Sequence, residues 1–203
     1  MALQIEKLMD PVEPHQIRLS TQLWSIFWAC TIVGIPIFLY LWVNLGKAVN
    51  KRNLILLEEI DARTKLVFKQ YIGAEPKYIN TETARDTGNN QGLLAGSGIA
   101  YLAGTIYFMQ AGMATQFPVS MLRDFHYNLE GHNTVLLIRG DLGDQMTVNQ
   151  INQNAAYSAF KMSGLFLKAA DIEHPVWHLM TTDKSVVTRW MEILQQVREG
   201  SIE

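Results

Sequence analysis

Two long stretches of the chain carry no charge: none of Asp, Glu, Lys or Arg occurs from Leu19 to Gly46, or from Thr87 to Leu122. Within the first, residues 23–45 (LWSIFWACTIVGIPIFLYLWVNL) are 23 nearly unbroken apolar positions. At about 1.5 Å rise per residue, such a helix covers the roughly 30 Å hydrocarbon core of a bilayer. Trp24 and Trp28 near one end, and Tyr40 and Trp42 near the other, stand where amphipathic rings settle at headgroup level. Pro36 is expected to kink this span. Within the second stretch, residues 92–114 are again 23 uncharged positions. Gly92, Gly96, Ala100 and Gly104 recur there at intervals of four, which on a helix makes one small-residue face open to close packing. A second transmembrane helix is the expectation. A Gly-rich loop or a helix buried in a water-soluble domain is the alternative.

Outside these stretches the pattern is amphipathic. Residues 46–72 place Val49, Leu56, Ile60, Val67 and Tyr71 at steps of three and four, predicting a helix that Gly73 ends. Residues 74–91 read as a turn-rich connector. Thr134 to Ile138 is a short strand candidate, and a helix is expected over about 147–170. A last helix begins at a Thr182 or Asp183 cap, carries Val186, Val187, Trp190, Ile193, Leu194 and Val197 inward, and stops before Gly200. The predicted fold class is therefore mainly α. It divides into an N-terminal tail (1–22), a transmembrane helix (23–45), an amphipathic helix and connector (46–91), a second transmembrane helix (92–114) and a mostly helical extramembrane region (115–203).

Charge adds orientation and partners. Of 203 residues, 48% are hydrophobic and 18% charged, and the formal charge is −2, so no basic field exists to hold nucleic acid. Lys and Arg number two before the first span and eight between the spans, which assigns residues 46–91 to the cytoplasmic or matrix side. Lys47, Lys51 and Arg52 directly follow the first span and are expected to meet anionic lipid headgroups. The acidic, cleavage-site-free start does not read as a signal or transit peptide, so the span itself is expected to direct targeting.

Candidate chemistry is sparse. The single cysteine, Cys30, allows no internal disulfide, and neither apolar segment holds an ionisable side chain for a proton path or a His to ligate haem. His174 and His178 are four apart, but Pro175 stands where a zinc protease helix needs its general-base Glu, so a structural metal site is the most that pair offers. Asp124, His126, Glu130 and His132 read as loop polarity. No catalytic residue, cofactor or metal is assigned. The expected function is a non-catalytic accessory subunit of a large inner-membrane complex of respiratory-chain or ATP synthase type, in the mitochondrial inner membrane. Its partners would be other subunits of that complex and anionic lipids. The alternatives are a structural inner-membrane component of a bacterial secretion or conjugation machine, and a small membrane enzyme using the His174 region.

Overall fold

The computed structural model describes residues 3–18, 20–24, 34–86, 93–129 and 162–202. Along the chain run β1 (Ile5–Lys7), a long helix α1 (Gly34–Ile72), β2 (Tyr78–Asp86), β3 (Leu93–Leu102), β4 (Thr105–Gln110) and β5 (Met113–Pro118). A 3-10 turn (Val119–Met121), β6 (Leu122–Asn128), β7 (Gly164–Ala169), β8 (Val176–Met180) and α2 (Lys184–Arg198) follow. The first five strands form one antiparallel sheet in the order β1-β5-β4-β3-β2, and the last three form a second in the order β6-β7-β8.

The fold is thus mixed α and β, with two antiparallel sheets, where a mainly α chain was expected. The segment 92–114 is the chief correction. It is not a membrane helix but most of three strands, β3, β4 and the start of β5. Both connections between them are Ala-Gly pairs with positive φ, 45° and 75° at Ala103 and Gly104, and 50° and 80° at Ala111 and Gly112. Two successive positive φ values match the twist of antiparallel neighbours, which makes these tight hairpin turns. The strand β3 is buried on both faces, and such a strand reads as a continuous apolar run, like a span. Residues 78–86, expected as connector, pair with β3 along its length, with Thr83 opposite Gly96 and Tyr78 opposite Tyr101.

Of the expected first span, residues 25–33 lie outside the described residues. From Gly34 the chain is helical. Among the described residues no helix is long and apolar enough to cross a membrane. The expected transmembrane helices and inner-membrane location are therefore not supported among the described residues. The strand candidate Thr134 to Ile138 and most of the helix expected over 147–170 lie outside the described residues. Where that helix should end, Gly164 to Ala169 is strand β7 instead.

Three layers follow from the period-2 alternation of β3 and β4. On one face Gly96, Gly98 and Ala100 leave room for α1, whose Ile60, Thr64, Phe68 and Ile72 are buried at steps of four. On the other face Ile99, Tyr101, Ile106, Phe108 and Phe117 meet Leu165, Leu167, Trp177 and Leu179 of the second sheet and Trp190 and Leu194 of α2 in the main core. The N-terminal segment is woven in as well. The short β1 covers the edge of β5, with Ile5 opposite Thr115, and Val12 exchanges both backbone hydrogen bonds with Leu94 at 2.8 Å. Asp183 caps α2 by accepting from the Ser185 backbone N–H at 2.8 Å, and Gly200 follows its last turn at φ 70°.

Candidate interaction surface

The helix α1 is used in two ways along its length. From Ile60 to Ile72 one side is sunk into the body, whereas toward its start the helix is mostly solvent-exposed. Asn53 ties the helix to the N-terminal segment. Its side-chain oxygen accepts the His15 backbone N–H at 2.8 Å, and its amide nitrogen donates to the His15 carbonyl at 3.2 Å. At about 100° per residue, the side opposite the body carries Ala48, Arg52, Ile55, Glu59, Ala62 and Leu66. All are exposed, Ile55 at 53% and Leu66 at 57%, and Val43 and Leu54 are exposed on another side of the helix at 52% and 62%. Single exposed apolar side chains are ordinary, but several large ones along one helix make it a candidate contact surface. Charge is divided along the same helix. From Gly34 to Leu57 the only charges are Lys47, Lys51 and Arg52, and directly beyond stand Glu58, Glu59 and Asp61.

The residues expected to meet lipid, Lys47, Lys51 and Arg52, are therefore exposed on a helix that runs on into charged sequence. Of the expected helix-packing set, Gly92 lies outside the described residues. Gly96 and Ala100 do face a helix, but from a strand, and the helix is α1 of the same chain. A Cβ on Gly96 would lie 2.1 Å from Thr64 Oγ1. Gly104 packs against nothing within 4 Å of a would-be Cβ and serves the hairpin turn.

The histidines are parted by the fold. His174 is exposed in the turn before β8, whereas His178 sits half-buried within that strand. The His178 ring lies parallel to Phe166 at 4.0 Å, and Phe166 in turn stacks on His126 at 5.1 Å, making a three-ring ladder across β8, β7 and β6. Its Nε2 lies 3.0 Å from the Ser163 carbonyl, so that nitrogen donates. Its backbone N–H donates to Gln110 Oε1 of the larger sheet at 3.1 Å. Burial holds the His178 imidazole below its ordinary pKa, partly offset by the Ser163 bond. Asp124 pairs with Lys168 at 3.4 Å, and Glu130 and His132 lie outside the described residues. No group of three or more His, Cys, Asp or Glu close enough to hold a metal ion occurs among the described residues.

A cavity of about 280 Å³ opens between β1, the β4–β5 hairpin and β8, walled by Met113, Val176 and Trp177, with His174 as its sole titratable lining residue among the described residues. A catalytic site needs mutually placed groups, such as a nucleophile, a base and its orienting partner, and this wall holds no such set. The ladder and the cavity escaped sequence reading because their residues come from segments far apart in the chain, with no periodic signal to join them. The exposed apolar side chains of α1 were visible only as the excess greasiness of Leu54 to Leu57. No family model, curated protein or solved structure matches the chain.

Proposed function

We propose that this chain is a non-catalytic accessory subunit of a multi-protein assembly, contributing contacts between subunits rather than a reaction. The observation that carries this reading is the set of exposed large apolar side chains on α1, Ile55 and Leu66 among them turned away from the chain's own core. Protein contact surfaces place apolar anchors at their centre and polar groups at their rim, and on α1 the exposed Ile55 and Leu66 lie beside the charged Arg52 and Glu59. The even balance of charge favours protein partners over nucleic acid.

Native electrophoresis of material from its natural source, with mass spectrometry of the band, tests the proposal. The expected result is a band well above the 23.0 kDa of the chain that holds different polypeptides in stoichiometric amounts. A band containing this chain alone would refute the accessory role.

A further inference from the structure

We infer that the cavity between β1, the β4–β5 hairpin and β8 is a binding site for a small apolar molecule that carries a carboxylate. The site takes no residue from α1 and goes beyond the reading of that helix as a subunit contact. Its volume of about 280 Å³ stands near the lower end of small-molecule pockets, about 300–1,000 Å³, which suits a short alkyl chain or a single aromatic ring. Ile5, Met113, Val176 and Trp177 supply an apolar wall. Met113 and Val176 are large apolar side chains left partly open to solvent, so a ligand body seated against them removes apolar surface from water.

The polar groups of the wall are donors that the protein leaves unused. Gln110 Oε1 accepts the His178 backbone N–H at 3.1 Å, and because an N–H can bond only to the amide oxygen, this contact fixes which way the amide is turned. Its Nε2, with two hydrogens, donates to nothing among the described residues. The Trp177 indole N–H is buried out of reach of water and has no partner, a state whose desolvation cost an acceptor would relieve. His174 adds a ring N–H. These donors sit together, since Gln110 is held to the residue after Trp177 and the His174 ring lies 6.3 Å from the Trp177 ring. No Asp or Glu lines the cavity among the described residues, so nothing there repels an anion. An acceptor head on an apolar body matches this wall, and a carboxylate brings two acceptor oxygens. The walls are also fixed in advance. Asp171 accepts the Leu3 and Glu173 backbone N–H groups, tying β1 and its Ile5 to the turn that carries His174, and the Ala111 N–H donates to Ser97 Oγ at 3.2 Å. A preformed pocket loses little affinity to ordering its own walls.

The test titrates the purified, isotope-labelled full chain with hexanoate and benzoate, observed by nuclear magnetic resonance. Acetate, a head without a body, and hexylamine, a body with a donor head, are the controls. One or both of the larger acids are expected to bind saturably and to move the Trp177 indole and Gln110 side-chain amide signals, while acetate and hexylamine leave them in place. Gln110→Glu keeps an oxygen for the His178 N–H but sets a carboxylate where the free donor stood, and should weaken acid binding about tenfold or more. Val176→Phe fills the cavity from its exposed lip and should abolish binding without lowering the melting temperature, so it carries the comparison if Gln110→Glu fails to fold. The inference is overturned if neither larger acid saturates, if the two named signals stay still, if hexylamine moves them equally, or if a folded variant binds as tightly as the parent chain.

Discussion

At the residue scale, Gly96 and His178 carry the most specific consequences. Gly96 is required by proximity: Thr64 Oγ1, Cγ2 and Cβ would all lie within 2.9 Å of an added methyl. Because Thr64 is fully buried in the helix seat, Gly96→Ala should cost about 1–3 kcal/mol of stability by overpacking, measured by chemical denaturation. Ile106→Leu, which keeps its volume in the opposite core, should cost less than about 1.5 kcal/mol. For His178 the sign follows from its lowered pKa. The unfolded chain takes up a proton near the ordinary value of 6.5 while the folded chain resists it, so folding loses stability as pH falls below 6.5 and loses none above it. Comparing melting temperatures of the parent chain and His178→Gln between pH 7.5 and 5 should show a shallower acid decline in the variant. Gln keeps a donor for the Ser163 carbonyl but has nothing to titrate.

At the element scale, the contrast between α2 and β3 explains what the sequence makes legible. The helix α2 has a capping Asp183, an apolar side at steps of three and four, and a glycine just past its end, three independent signals that agree. The last helix, its buried face and its cap could all be read from those residues. In β3 the deciding spacing is ambiguous. Positions four apart share a face in a helix, but they also share a face in a strand, because four is a multiple of two. Gly96 and Ala100 therefore mark a close-packed face under either reading, and only the Ala-Gly pairs at 103–104 and 111–112 signal hairpins. Length misled as well: the doubly buried β3, an uncharged turn and the largely buried β4 together match the length and apolarity of one membrane crossing. Of the contact surface, the charge division along α1 was on view, but which side faces outward depends on the sheet beneath it.

At the scale of the whole molecule, long-range ties bind the early chain to the late. The Leu3 backbone N–H donates to Asp171 Oδ2 at 2.7 Å, and Asp171 also accepts the Glu173 N–H at 2.9 Å. These bonds, the one from Leu3 foremost, hold the Asp171 carboxyl below its ordinary pKa. The sign is opposite to that of His178: the stabilisation is present above the ordinary 3.8 and is lost as pH falls through the lower folded value. Asp171→Ala should therefore loosen the start of the chain selectively. Hydrogen exchange is expected to speed up at the β1 and Met9 amides and to stay unchanged in α2, and uniform acceleration everywhere would show that the tie has no local role.

The position of β1 also sets an order of events during synthesis. Its residues leave the ribosome long before β5, yet pair only with β5, and the Gln4 carbonyl waits for a hydroxyl at Thr115. Contacts separated this far in sequence form late and slowly. Until β1 arrives, the outer edge of β5 is left unpaired, and an unpaired strand edge recruits strands from other chains. The three residues from Ile5 to Lys7 thus act as a late closure on the larger sheet, and the nascent chain is most exposed to misassembly in the interval before they dock.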